Sequence, residues 1–295
     1  MPEALLLGAG QVGSAILRTR SATVERIVGV DRDFDELLLV NQFKVPREHL
    51  VALDFLAADP ADFPEAAFDR LIICGGDHPR PGVDAGAVAS RLADCVERLS
   101  DRFRFDTVTY LSSFAVYGAP DAPPREDSPL EPLSEYGKIK AHAEALLSER
   151  LGGRLVIIRS AGVVGHAAGG RMSKSTKIVS EALDRIEQAP GGHVGLPPFN
   201  LGEVIWALDL AEITLGLEAD PGGAPLVINA GSGAVLSSDT LADALSNTHP
   251  HIRFTPCGAA PPPQIPVMDG SRLKQAGFSP VADLETMVRY AEGMT

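Results

Sequence analysis

Of the 295 residues, 45% are hydrophobic and 22% charged, and the formal net charge at pH 7 is −13. That balance fits a folded globular chain, either one large domain or a domain with a smaller companion. It argues against the basic footprint of a nucleic-acid binder, although a few local Arg and Lys can still hold an anionic ligand.

The opening run MPEALLLGAG has no basic n-region and too short an apolar stretch for a signal peptide, so Ala4–Leu7 reads as a first strand. Arg26–Val30, Val51–Asp54, Arg70–Cys74, Thr107–Leu111 and Leu155–Ile158 follow as short runs rich in Leu, Ile and Val, the composition of strands covered on both faces. Val12–Arg20, Asp84–Ser100 and Ser134–Arg150 have helical patterns between them. Repeated β-α units predict an α/β fold with a doubly wound parallel sheet over residues 1–165. After Gly165 the pattern changes. His166–Gly170 reads as a loop, Met172–Gln188 as a helix, and Ala189–Asn200 is rich in Gly and Pro. A helix near Ala207–Glu218, a strand at Leu226–Asn229 and a helix near Ser238–Ser246 come next, and Pro261–Pro263 marks a rigid loop. Residues 166–295 are therefore expected to form mainly a small C-terminal α/β region over the sheet's ligand edge, with parts of 200–235 returning to the first domain. No apolar run approaches the roughly 20 residues that span a bilayer, so no membrane partner is expected. Cys74, Cys95 and Cys257 are scattered and form no CxxC pair, which predicts free thiols in a reducing cytoplasm. His249-Pro250-His251 lacks further ligands at a metal-binding spacing, so no metal is expected.

Gly8-Ala9-Gly10-Gln11-Val12-Gly13 is a GxGxxG motif between the first strand and the first helix. The first glycine permits the tight turn, the second lets the backbone approach a pyrophosphate, and the third lets helix and sheet pack closely. The helix start at Gln11 and Val12 offers free N–H groups and the positive end of the helix dipole. Asp31 ends the second strand, about 20 residues past the motif, where a carboxylate accepts hydrogen bonds from the adenosine ribose. It favours NAD, while Arg32 beside it keeps NADP open.

Ser113 lies just past a predicted strand end, where open α/β sheets bind ligands. Tyr136 and Lys140 are four apart on a predicted helix, so they share a face one turn apart. Moving a hydride to or from a carbinol carbon requires a proton to move on its oxygen. A tyrosine, with a reference pKa of about 10, does this near neutrality only when a nearby ammonium favours the phenolate. Lys140 is spaced to supply that charge, and Ser113 can hold the substrate oxygen in line.

These segments resemble the extended short-chain dehydrogenase/reductase family, the nucleotide-sugar epimerases and dehydratases. The family's Ser-Ser-x-x-Val-Tyr-Gly is matched by Ser112–Gly118, and its Tyr-x-x-x-Lys by Tyr136 to Lys140. Weaker matches are Arg159 to Gly165, Ile205–Ala211, Asn229–Gly233 and Asp269–Arg272. The resemblance implies a Rossmann domain with a small substrate domain, often assembled as a homodimer through Rossmann helices. It also implies that Asp54 and Phe55 lie beside the adenine, Gly75 beside the adenosine or ribose, and that Lys140 bonds the nicotinamide ribose. Three departures bear on the reaction. Phe114 and Ala115 stand where the dehydratases carry Asp and Glu, and neither can transfer a proton, which argues against dehydration. Gly162 stands where an Asn follows the family's Arg, and Trp206 where His is usual.

Three readings follow. The first is a nucleotide-sugar 4-epimerase or 4-ketoreductase, with Arg171 and Lys174 (and Lys177 beyond them) as candidates for binding a substrate pyrophosphate. The second is a dehydrogenase or reductase of a non-nucleotide alcohol or ketone. The third is an NAD(H)-binding sensor or scaffold without catalysis.

Overall fold

The computed structural model describes residues 3–19, 21–35, 37–76, 82, 84–165, 172–189, 192–263 and 265–292. In chain order the first half contains β1 (Glu3–Leu7), α1 (Gln11–Arg18), β2 (Arg26–Asp31), β3 (Leu50–Ala52), β4 (Phe68–Ile73), α2 (Ala85–Arg102), β5 (Thr107–Ser113), α3 (Glu135–Leu151) and β6 (Leu155–Ser160). The second half contains β7 (Gly162–Val164), α4 (Lys174–Glu187), β8 (His193–Leu196), β9 (Asn200–Trp206), α5 (Ala207–Gly216), β10 (Leu226–Ala230), β11 (Val235–Ser237), α6 (Ser238–Thr248), β12 (Arg253–Pro256), α7 (Ser271–Gln275) and α8 (Leu284–Glu292).

Seven strands form one sheet in the order β10-β6-β5-β4-β1-β2-β3, and every neighbouring pair is parallel. Alternate residues of each strand serve opposite faces. Leu6, Ile72 and Ile158 pack with α1 and α5 on one side, while Leu5, Leu7, Leu71 and Ile157 pack with α2 and α3 on the other. Both faces are thus covered, which is why these strands read as unbroken apolar runs. Strand order reverses at β1, and β1 and β4 leave a crevice at their C-terminal ends, the usual ligand position of such sheets.

The later residues build two smaller sheets, β11-β9-β7 and β12-β8, over a third core that includes Val204, Trp206, Leu241 and Met287. Strands β7, β8, β9, β11 and β12 were not anticipated as strands. β7, β8, β11 and β12 run three or four residues, too short for a clear alternation, and β9 runs seven but carries Gly202 and Glu203 in its middle, which break the apolar run. No described helix is long and apolar enough to cross a membrane.

Candidate active site

The glycine turn is shaped by direct backbone contact. Gly8 has φ +93°, and a Cβ there would lie 2.5 Å from Gly75 Cα, so the turn and the end of β4 touch only because both are glycine. At Gly13 a Cβ would lie 2.0 Å from the Gly8 carbonyl oxygen. Gly10 is different, because a Cβ there meets nothing within 4 Å. Helix α1 also lacks a side-chain cap, whereas Asp84, Ser134 and Ser173 cap α2, α3 and α4. Its first N–H groups and the open space at Gly10 together form the kind of cradle that a pyrophosphate fills. Asp31, buried at the tip of β2, accepts the Ala9 N–H at 2.7 Å and so holds the turn. Arg32 stands 3.9 Å from Asp54. The Phe55 ring is buried against Gly75. The structure therefore gathers Gly8, Gly10, Gly13, Asp31, Asp54, Phe55 and Gly75 around one crevice, and these residues fit a dinucleotide.

The catalytic candidates lie along the same edge. Ser113 is the last residue of β5, and its Oγ accepts the Ala115 N–H at 3.2 Å. The chain then turns over Phe114–Tyr117, and α3 docks directly on that turn. The docking depends on Gly137, where a Cβ would lie 2.5 Å from the Ala115 carbonyl oxygen. This close approach brings the first turn of α3, with Tyr136, onto the end of β5. The Lys140 ammonium donates to the Leu111 carbonyl at 2.6 Å and lies 5.7 Å from the Tyr136 ring centroid and 4.6 Å from that of Tyr110. Cys74, Gly75, Gly76, Tyr110, Tyr136 and Lys140 line one pocket. Burial works to lower the Lys140 pKa, but Tyr110, Tyr136 and Cys74 outweigh it and raise the pKa above the ordinary lysine value. The ammonium is therefore retained at neutral pH. Burial pushes Tyr110 and Cys74 each up to about 12, against the pull of Lys140, so both stay neutral. Tyr136 is 38% exposed and opens to the crevice.

Beneath this face lies a buried polar network that sequence reasoning did not anticipate. Ser112 Oγ donates to Glu144, and Glu144 pairs with Arg159 at 2.7 Å. Arg159 donates to the Tyr117 hydroxyl at 2.9 Å and to the Glu126 carbonyl at 3.0 Å. The Tyr117 hydroxyl donates to Asn229 at 2.5 Å, and the Glu126 carboxylate accepts the Asn229 N–H at 2.9 Å. Burial works to lower the Arg159 pKa, and Glu144 and Tyr117 raise it beyond the usual value. Several motif residues noted above, Tyr117, Arg159 and Asn229, are thus bonded to one another rather than open to the crevice. Glu144 follows Lys140 at i+4, a spacing that could have drawn attention to it.

Gln11 and Val12 begin α1, but the Gln11 side chain turns away toward α4. Val12 packs against the core shared with α5. Lys174 is the exposed first residue of α4, and Lys177 stands 3.8 Å from Glu181. Arg171 and the loop His166–Gly170 lie outside the described residues. Gly162 faces α4, where a Cβ would come within 2.7 Å of Ser175 Oγ.

Residues 4–231 match the model of the NAD dependent epimerase/dehydratase family. The chain belongs to that family. Among its relatives is a UDP-glucose 4-epimerase of Azospirillum brasilense, 30% identical over 214 residues. That match covers 64% of this chain, and the chain spans 61% of the relative's length. Solved structures share the fold of this epimerase/dehydratase chain from end to end. A UDP-glucuronic acid 4-epimerase from Bacillus cereus in complex with NAD has a TM-score of 0.76 at 18% identity, covering 99% of this chain and 97% of that one. A UDP-N-acetylglucosamine 4-epimerase from Methanobrevibacter ruminantium has a TM-score of 0.72 at 19% identity, covering all of both chains.

Proposed function

We propose that this chain is an NAD-dependent enzyme that acts on the carbinol or keto carbon of a nucleotide sugar, as a 4-epimerase or a 4-ketoreductase. The observation that carries the reading is the Lys140 ammonium, fixed by the Leu111 carbonyl beside Tyr136 in a pocket floored by Gly75 and Gly76. When bound, NAD supplies the hydride acceptor and donor. Gly8, Gly10 and Gly13, with the N–H groups of Gln11 and Val12, would hold its pyrophosphate. Asp31 would hold the adenosine ribose, with Asp54 and Phe55 near the adenine and Lys140 on the nicotinamide ribose. Arg32, already near Asp54, leaves room for NADP as an alternative.

Tyr136 would move the proton at the substrate oxygen, Ser113 would orient that oxygen, and Lys140 would keep its positive charge beside the Tyr136 ring. Phe114 and Ala115 supply no second acid or base beside Ser113, so dehydration is not part of the reading. The relatives support the nucleotide sugar as substrate, and Arg171 and Lys174 are the sequence's candidates for its pyrophosphate. One observation favours the second reading, a smaller non-nucleotide alcohol or ketone: Ser175 fills the space beside Gly162 where the family's Asn would reach. A cytoplasmic homodimer completes the proposal, which sedimentation of the purified protein would check.

The deciding experiment incubates the protein with NAD and each of several UDP-hexoses, and in parallel with NADH and either nucleotide 4-keto sugars or non-nucleotide ketones, and follows C4 configuration by NMR and NADH by absorbance. Interconversion of C4 epimers without net NADH supports the epimerase. Stoichiometric NADH consumption with a 4-keto sugar supports the reductase. Turnover only of non-nucleotide ketones transfers the assignment to the second reading.

A further inference from the structure

Gln11 is the first residue of α1, and it is only 8% exposed. Its backbone N–H belongs to the uncapped helix start at the glycine turn, the group a bound pyrophosphate would engage. Its side chain serves another region entirely. The amide Oε1 accepts the Ser173 N–H at 2.8 Å, and Nε2 donates to Thr176 Oγ1 at 2.5 Å. Ser173 is the N-cap of α4 and Thr176 lies in its first turn, where Thr176 N–H donates to Ser173 Oγ at 3.1 Å. The same turn is tied to the end of β7, because Thr176 Oγ1 accepts the Gly165 N–H at 3.1 Å and Ser173 Oγ donates to the Val163 carbonyl. Both functions of one primary amide are therefore committed to the helix that opens the C-terminal half, 162 and 165 residues away in sequence.

We infer that Gln11 is a positioning residue that couples occupancy of the glycine turn to the first turn of α4. A ligand that fixes the Gln11 backbone fixes the origin of both side-chain bonds. It thereby holds the Ser173–Thr176 turn and Lys174 within it. Cofactor binding would then prepare the substrate side before substrate arrives, and by reciprocity an occupied substrate side would tighten cofactor binding. This rests on the dinucleotide reading of the glycine turn. It goes beyond that reading in giving the loop a second task.

The test is hydrogen–deuterium exchange of the full chain with and without saturating NAD, read separately at the glycine turn and at residues 172–180. Coupling of 1–3 kcal/mol slows exchange by about fivefold or more. The Ser173 amide is itself the donor to Gln11, so it reports the bond directly. In the wild type, NAD is expected to protect both regions. In Gln11→Ala, NAD protects the glycine turn and no longer protects Ser173–Thr176. Thr176→Val, which removes the Nε2 bond but leaves the Ser173 N–H bond to Oε1, is expected to weaken NAD protection of Ser173–Thr176 in part and covers the case in which Gln11→Ala fails to fold. NAD that protects the wild-type glycine turn while leaving 172–180 unchanged overturns the coupling, as does full α4 protection in both variants. A wild-type chain that binds no NAD overturns the cofactor reading itself, and the coupling with it.

Discussion

Ser112 and Ser113 are neighbours on β5 with different surroundings. Ser112 points below the edge into the network of Glu144, Arg159, Tyr117 and Asn229, where donors meet acceptors and charges are paired. Ser113, also buried, ends the strand and turns its Oγ to the Ala115 N–H, in the turn on which α3 rests. The same contrast repeats along α3. Lys140 projects beside Tyr136, and one turn later Glu144 is buried against Arg159. A closed polar network directly behind an open one teaches how the site is held. Strand and helix are locked in register from below, so the groups above need not be anchored to one another. That division can be broken by removing a member of the lower set and sharpened by removing a member of the upper.

The largest expected effect is in the lower set. Glu144→Ala leaves the Arg159 guanidinium buried without its carboxylate, a change that costs about 3–5 kcal/mol. Chemical denaturation is expected to register that loss, and an unchanged midpoint would refute the register-locking role. Next are two of the three glycines of the turn. Gly13→Ala drives a methyl to within 2.0 Å of the Gly8 carbonyl oxygen, so it is expected to cost about 1–3 kcal/mol of stability. Gly10→Ala meets no protein atom within 4 Å, so its melt is expected to stay wild-type while NAD affinity measured by calorimetry falls by about tenfold.

The smallest effect belongs to Glu203, which is 2% exposed. Burial raises its pKa, partly offset by N–H groups of Met268 and Gly233. A carboxyl with a raised folded pKa holds its proton longer when folded than when unfolded. Stability is therefore lost as pH rises from the ordinary carboxylate range through the raised value. Glu203→Gln replaces the titrating carboxyl with an amide that does not ionise, so wild type is expected to lose stability relative to the variant across this window. Parallel melts over the acid range would show it.

What the sequence made legible is what local spacing encodes. The glycine turn, the Tyr136–Lys140 pair and the apolar strands need only neighbours within one turn or one strand. The contacts that position the site are long-range and leave no local trace. Gln11 meets Thr176 165 residues on, and Gly137 matters because Ala115 happens to lie against it. Nothing in the local sequence pairs Glu144 with Arg159, and only the fold places Arg159 beside it. Arg159 and Asn229 were noticed as motif residues, yet only the fold reveals that they face each other's partners.

The central claim is that the upper set performs proton transfer while the lower set carries the fold, and Tyr136→Phe tests both parts at once. Tyr136 is partly exposed, so the variant is expected to melt within about 0.5 kcal/mol of wild type. With NAD and whichever UDP-hexose the wild type turns over, its rate is expected to fall about 100-fold or more. A Tyr136→Phe protein that keeps full turnover would contradict the account.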